Sequence, residues 1–267
     1  MIKGKNIVLT GANSGIGLEV LKILAKDNVV FCVDKNVDVL LNMASDNVIV
    51  IKRDVSSKVA VDEIFEEAIA RMGSIDIFYA NAGYPYYEEM NYTDWDRVAV
   101  MFETNVFSPI YSYQKYVEYL NGKKGIFAIT VSAIGTMAMP GFTIYSASKF
   151  AMHGFQEGVR MEKPSNVQLT CLYPVATDTG FFKAANEIEF EKPFPVQKPD
   201  VVARKMVKGI EKGKKTVSPC ALFGLAKVLM KFFPCVKTMY LALEKRKFAR
   251  FKENVKKING EKLKRKK

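Results

Sequence analysis

Histidine and tryptophan are nearly absent from this 267-residue chain, which holds one of each, His153 and Trp95. No second metal-type ligand accompanies His153, so a structural or interfacial role is expected for it and no metal site is predicted. Cysteine is sparse as well. Cys32, Cys171, Cys220 and Cys235 show no Cys-xx-Cys spacing, and the first two fall within apolar, strand-like runs, so buried free thiols are expected. No leader pattern opens the sequence: Met1-Ile2-Lys3-Gly4-Lys5 runs directly into an apolar segment that ends in a glycine turn, which points to a cytoplasmic, reducing location. The body contains no internal repeat and no low-complexity linker. With 49% hydrophobic and 12% aromatic residues, the chain can bury a sizeable core, which excludes global disorder and collagen-like classes.

Charge of one sign is in excess, but only locally. The 40 Lys+Arg and 28 Asp+Glu give a formal net charge of +12. Residues 1–219 hold 25 of each sign, and residues 220–267 hold 15 basic against 3 acidic, so the whole excess sits in the last 48 residues. The sequence therefore divides into a neutral body, 1–219, and a basic C-terminal tail, 220–267.

Within the body, short β-branched runs alternate with longer helical patterns. Residues 6–10, 29–33, 48–51, 75–79, 125–131 and 167–172 read as strands that are almost continuously apolar, as strands covered on both faces should be. Helices are predicted over 15–26, 57–72, 93–121, 145–163 and 198–212, and a last strand over 214–219. Trp95, in the capped start Thr93-Asp94-Trp95-Asp96, is expected to pack in the core. Strands separated by helices require right-handed crossovers, hence an α/β fold: a doubly wound parallel sheet in three α/β/α layers, with a helical C-terminal extension. Such sheets bind ligands beyond the carboxyl ends of their strands.

After the first strand comes Thr10-Gly11-Ala12-Asn13-Ser14-Gly15-Ile16-Gly17, leading into a helix. Glycines here let the turn tighten, let the backbone approach a pyrophosphate, and let helix and strand pack closely, while the helix N-terminus attracts the anion. An ordinary tight turn would account for the glycines alone. Asp34 makes the difference, because it ends the second strand where an acidic residue accepts hydrogen bonds from an adenosine ribose. A carboxylate there repels a 2′-phosphate and favours NAD; Lys35, next in sequence, could pair with that phosphate and keeps NADP as the alternative.

Gly-xxx-Gly-x-Gly, then Asn81-Ala82-Gly83 after the fourth strand, Ser132 after the fifth, and Tyr145-Ser146-Ala147-Ser148-Lys149 together resemble the short-chain dehydrogenase/reductase family, in its single-domain Rossmann-fold branch. The resemblance covers about residues 5–219, with every motif in order. It implies that Gly11, Asn13, Ser14, Gly15, Ile16 and Gly17 cradle the cofactor, that Asp54 and Val55 hold the adenine, and that Asn81, Ala82 and Gly83 back its ribose and pyrophosphate. It also implies that Pro174, Val175, Thr177 and Thr179 contact the nicotinamide end, and that the protein forms a dimer or tetramer. The family usually has Pro-Gly after the sixth strand, whereas Pro174-Val175 stands here, a departure that bears on the nicotinamide face or the lid.

Converting an alcohol to a ketone needs a base for the hydroxyl proton and an acceptor for hydride. A tyrosine is a poor base unless a cation stabilises its phenolate. Lys149, four residues after Tyr145, shares its helix face and is expected to do so while also binding cofactor ribose hydroxyls. Ser132 is expected to hydrogen-bond the substrate oxygen as charge develops there. Asn105 resembles the family's fourth catalytic residue, which holds a water connecting Lys149 to solvent. A Tyr-xxx-Lys pair alone would fit a surface helix contact; Ser132 and the glycine loop argue against that.

Phe181, Phe182, Phe190 and Phe194 lie in the segment that forms the substrate lid in this family. With Tyr84, Tyr86, Tyr87, Met137 and Met139 they suggest an apolar cleft for a lipophilic alcohol or ketone, such as a steroid, retinoid or acyl-chain derivative, although packing of lid on body would also use them. In the tail, residues 219–234 are too short to span a bilayer, and Lys227 and Lys231 interrupt them. Those lysines lie opposite the Leu222, Leu225, Leu229 and Phe232 side, the pattern of a basic amphipathic helix at a membrane interface. The chain then continues through many basic residues to Lys264-Arg265-Lys266-Lys267. An anionic membrane surface is the first expected partner of 220–267 and a subunit contact the second; nucleic acid ranks last and is not expected as a partner, because large apolar residues have no use on a phosphate backbone. The expected function is an NAD(H)-dependent oxidoreductase, cytoplasmic and peripheral on the membrane; an NADP-dependent carbonyl reductase and a catalytically idle dinucleotide-sensing scaffold are the alternatives.

Overall fold

Period-two alternation along each strand sends successive side chains to opposite layers, and the two cores follow from it. β1 (Asn6–Thr10), β2 (Val29–Asp34), β3 (Val48–Lys52), β4 (Ile77–Ala80), β5 (Gly125–Thr130), β6 (Val167–Leu172) and β9 (Thr216–Val217) form one parallel sheet in the order β3-β2-β1-β4-β5-β6-β9. Val8, Phe31, Phe78 and Phe127 face a core shared with α3 (Lys58–Met72), α5 (Ser108–Leu120) and α6 (Thr143–Glu162). Phe78 stacks there on Phe65 and Phe127 at 5.0 and 5.4 Å. Ile7, Leu9, Val30 and Tyr79 face the other core, closed by α1 (Gly15–Leu24) and α8 (Pro199–Glu211). The chain reverses its winding between β1 and β4, and that is where the carboxyl ends of the strands open a crevice. The computed structural model describes residues 2–91, 93–162 and 166–264, with side chains to 258. Lys163, the expected end of the helix after Tyr145, and Arg265-Lys266-Lys267 lie outside the described residues.

Five differences from the sequence reading have physical reasons. The helix expected over 93–121 is three pieces: α4 (Trp95–Phe102), a π-helical turn at Glu103–Phe107, and α5. Trp95 is not in the core but 83% exposed. Asp94 caps α4, its side chain accepting from the Arg97 N–H at 3.0 Å, while the inward face belongs to buried Met101, about a third of a turn round the helix from Trp95. Short elements that periodicity is too brief to mark also appear: α2 (Asp38–Leu41), α7 (Phe181–Ala185) and the pair β7 (Ala176–Thr177) and β8 (Val196–Gln197). Three of the cysteines are buried and free, but Cys235 is exposed.

The fifth difference concerns the tail. It folds as α9 (Ala221–Phe232) and α10 (Pro234–Lys264), separated where Pro234 disfavours helix at Phe233. It is also packed on the body. Phe223, Met230, Tyr240, Phe248 and buried Phe251 join one apolar cluster with Tyr87, Met139, Phe142, Tyr145 and Phe182. Tyr87 lies 4.8 Å from Phe251 and 5.5 Å from Phe248, ring to ring. Lys252 pairs with Glu89 at 2.7 Å and Arg250 with Glu191 at 2.9 Å. Among the described residues no helix is long and apolar enough to cross a membrane.

Candidate active site

The glycine turn meets the crevice, and a network of threonine and asparagine side chains ties the strand ends together beneath it. Thr10 Oγ1 accepts the N–H groups of Asn81 and Ala82 at 3.0 and 3.1 Å; the Asn81 amide in turn donates to the Thr10 and Gly11 carbonyls and accepts from Thr130 Oγ1 at 2.9 Å. Thr10 and Thr130 escape a sequence reading because a threonine closing a strand is common. A Cβ on Gly17 would run into the Gly11 carbonyl oxygen and come within 2.7 Å of Asn81 Nδ2. Gly17→Ala is therefore expected to cost about 1–3 kcal/mol of stability, read by urea unfolding, because backbone cannot yield as a flexible side chain can. Unchanged stability would mean that the close packing of α1 on the turn is not needed.

A cavity of about 480 Å³ follows the crevice. Gly11, Ser14, Gly15, Ile16, Asp34, Asp54, Val55, Asn81, Ala82 and Gly83 line one end, Tyr145, Pro174, Val175 and Thr177 the other, and Thr179 stands on the wall against Gly15. Asn13 and Gly17 are not on its wall. Asn13 Oδ1 accepts the Val39 and Leu40 N–H groups, each at 3.1 Å, and its own N–H donates to Asp34 Oδ2 at 3.0 Å. It thereby orients the carboxylate that the sequence assigns to the ribose. Asp34 Oδ1 accepts from the Asn36 N–H at 3.1 Å. Lys35 and Arg53 also line this end; Arg53, which the sequence reading passed over, pairs with Glu63 at 2.9 Å.

Tyr145, Lys149, Ser132 and Asn105 converge. Tyr145 and Lys149 lie one turn apart on α6, with Lys149 Nζ 5.7 Å from the Tyr145 ring centre and donating to the Thr130 carbonyl at 3.2 Å. Lys149 is only 4% exposed. Burial pushes its ammonium down to about 8 and holds the Tyr145 phenol well above its usual range, an effect that a hydrogen bond with Ser132 partly offsets. Ser132 has φ 145°, a conformation that a side chain rarely adopts and that costs about 1–3 kcal/mol. In this pose its hydroxyl reaches Tyr145 while also accepting the Ile134 N–H at 3.3 Å.

Asn105 sits in the π-helical turn, an irregularity frequent at functional sites. It is buried and off the cavity wall. Its Oδ1 accepts the Tyr84 N–H at 3.1 Å, and its Nδ2 donates to the Tyr84 carbonyl at 3.0 Å and to Ser148 Oγ at 3.2 Å. A Cβ on Gly83 would stand 2.9 Å from Asn105 Oδ1 and 3.5 Å from Lys149 Nζ, so the bare glycine lets both side chains approach the loop.

At the far end, the Pro174 carbonyl accepts the Ala133 N–H at 2.9 Å, and Val175, in place of the usual glycine, is held by a Thr177 Oγ1 donor at 2.9 Å. Phe181 meets Tyr145 edge to face at 5.6 Å. Tyr84, Met137, Met139, Phe181, Phe182 and Phe194 line the cavity as expected, whereas Tyr87 and Phe190 stack on each other behind it at 3.9 Å and Tyr86 lies under the Arg97 guanidinium. Phe223 and Tyr240 of the C-terminal helices are also on the wall, and the Tyr240 hydroxyl donates to the Phe194 carbonyl at 2.8 Å. His153 pairs instead with the Tyr173 hydroxyl at 2.8 Å. Among the described residues no group of three His, Cys, Asp or Glu could hold a metal ion.

Comparison with known proteins bears on the family and the fold. Residues 5–189 match the family model described as short chain dehydrogenase. The chain is 26% identical over 220 residues to an uncharacterized oxidoreductase of Staphylococcus saprophyticus, covering 76% of this chain and 88% of that one. It is 27% identical over 248 residues to 3-ketodihydrosphingosine reductase of Dictyostelium discoideum, covering 79% and 73%. Among solved structures, a short chain dehydrogenase/reductase from Burkholderia phymatum in complex with NAD superposes with a TM-score of 0.76 at 21% identity, covering 86% of this chain and 94% of that one.

Proposed function

The chain belongs to the short-chain dehydrogenase family and is an oxidoreductase acting on CH–OH donors; from that premise we propose that it interconverts a lipophilic secondary alcohol and its ketone, with NAD(H) as the hydride carrier and Tyr145 as acid and base. The observation that carries this reading is the buried Tyr145 phenol, hydrogen-bonded to Ser132, beside Lys149 and beneath Phe181. The glycine crevice fits the dinucleotide, because Gly11, Gly15 and Gly83 leave stretches of its wall as bare backbone and Asp34 presents an oriented carboxylate at the ribose end.

When bound, the cofactor would supply the hydride as NADH in reduction and take it up as NAD in oxidation. The protein's own groups handle the proton. In the reducing direction the Tyr145 hydroxyl gives its proton to the carbonyl oxygen as that oxygen gains charge, and the Ser132 hydroxyl hydrogen-bonds the same oxygen. The Lys149 ammonium stabilises the phenolate left behind. Asn105 acts through the Tyr84 loop and Ser148, and reprotonation from solvent runs along its side of Lys149. Oxidation runs the same steps in reverse.

Asp34 favours NAD, since a 2′-phosphate would stand against its carboxylate, while Lys35 and Arg53 on the same wall support NADP as the second reading. The parent protein is expected to bind NADH at least about tenfold more tightly than NADPH, and Asp34→Ser to shrink that ratio, a difference that needs only ~1.4 kcal/mol of charge repulsion. Fluorescence titration with both cofactors decides it; tighter NADPH binding by the parent overturns the NAD reading.

The phenylalanine-lined lid supports a lipophilic substrate, and so does the similarity to the Dictyostelium protein named 3-ketodihydrosphingosine reductase. Turnover of steroid, retinoid and acyl ketones with NADH tests this class; preference for sugars or acidic ketones removes it. We divide the chain into a catalytic body, 1–219, and an extension, 220–267, whose basic surplus holds the protein on an anionic membrane surface at about 1 kcal/mol per basic residue near it. Homo-oligomer contacts are assigned to the helices that follow β4 and β5, which expose Trp95, Phe107 and Phe150.

A further inference from the structure

The C-terminal helices belong to two surfaces at once. Phe223 on α9 and Tyr240 on α10 form part of the cavity wall. On α9, Phe223, Ala226 and Met230 turn inward, while Leu222, Leu225, Val228, Leu229 and Phe232 stand exposed, Phe232 at 69%. Phe233 at the corner and Met239 and Leu243 on α10 are exposed as well. A monomeric surface rarely leaves so many large apolar side chains together in water without a partner. The partner's chemistry is set by what lies between them, because Lys227, Lys231 and Lys237 are the charged residues of this stretch and no acidic residue occurs between Glu211 and Glu244. Apolar side chains flanked by lysine only fit a bilayer with anionic headgroups.

The cavity opens at this same place. Phe194 lines it yet is 62% exposed, so it forms part of the rim, and Tyr240 of α10 is hydrogen-bonded to its carbonyl. We infer that the ketone enters from the lipid phase, through the opening bounded by Phe194, Phe223 and Tyr240, and that docking of residues 222–243 on an anionic bilayer is what admits it. This rests on the proposed ketone reductase function and adds the route: a lipophilic substrate never crosses water to reach Tyr145.

The experiment uses the full-length protein and two ketones, a short methyl ketone dissolved in water and a long-chain methyl ketone carried in vesicles of equal parts phosphatidylcholine and phosphatidylserine. Leu225→Glu/Phe232→Glu, both on the exposed face, is compared with the parent, with melting curves to verify that both are folded. Flotation on the vesicles and reduction of the vesicle-borne ketone are expected to fall together by about tenfold or more, since two apolar anchors are replaced by charges that anionic lipid repels. Reduction of the dissolved ketone stays as in the parent. Equal flotation, or equal reduction of the vesicle-borne ketone, overturns the inference; so does a fall in oligomeric size with unchanged flotation, which would assign the face to a second copy of the chain. If neither ketone is reduced by the parent, the oxidoreductase substrate reading has failed instead, and flotation alone still decides the docking surface.

Discussion

Replacing Tyr145 with phenylalanine is expected to lower NADH-dependent ketone reduction by about 10²–10⁴-fold, the range over which a positioned acid acts, while leaving the fold and NADH binding intact. Only one oxygen is removed. Its hydrogen-bond partner Ser132 keeps the Ile134 N–H and a 3.5 Å contact with the Pro174 carbonyl, so no buried hydroxyl is orphaned. The change in stability should accordingly stay within about 1 kcal/mol. Phe181, which packs edge to face on the Tyr145 ring, meets the same ring edge in the variant. The reading is sunk if kcat/KM for hydrophobic ketones survives the substitution, because no other titratable group of the described residues is hydrogen-bonded to Ser132 at this end of the cavity. A loss of NADH affinity in parallel would instead make Tyr145 a cofactor-binding group with no special part in proton transfer.

The strands were legible because burial on both faces forces almost unbroken apolar runs, and six of them begin within two residues of where the apolar runs start. Asp34 was legible for a related reason, since an α/β crevice draws on strand ends, whereas Ser132, Tyr145 and Lys149 were legible through the motifs that resemble the family. What stayed hidden was non-local. The sequence from Trp95 to Leu120 keeps a helical pattern throughout, and the π-helical turn at Glu103–Phe107 leaves no mark on that pattern over any short window. Trp95 stands in solvent because its position on α4, about a third of a turn from buried Met101, turns it away from the core. The tail's charge read correctly as a local surplus, but Phe251 finds its partners on Tyr87 and Phe190, and Lys252 finds Glu89 from 163 positions away. Nothing in a local window reports such pairings. The result is a tail that cannot be subtracted from the cavity, since Phe223 and Tyr240 of its helices form part of the wall.

Lys149→Met should move activity and stability in opposite directions. Burial lowers the Lys149 pKa from 10.5 to about 8, so the folded state holds this proton less tightly than the unfolded chain. Below about 8 both states are protonated and folding bears the full cost of burying the ammonium, about 3 kcal/mol by the size of the shift; between about 8 and 10.5 only the unfolded state keeps the proton, and stability rises with pH. A methionine fills the same slender space without a charge to desolvate. It forfeits the hydrogen bond to the Thr130 carbonyl, worth about 1 kcal/mol. The variant should therefore be more stable than the parent near neutral pH by roughly 1–2 kcal/mol in urea unfolding, the remainder of those two terms. The rise between about 8 and 10.5 should flatten in parallel. Ketone reduction should fall by about 10²–10⁴-fold, since the phenolate loses its cation. In the parent, kcat/KM for reduction should decline as pH climbs past about 8, where the free enzyme's ammonium is lost. A variant that loses stability along with activity would make Lys149 a structural tie between α6 and β5. A more stable and inactive one identifies a charge kept in the core for chemistry alone.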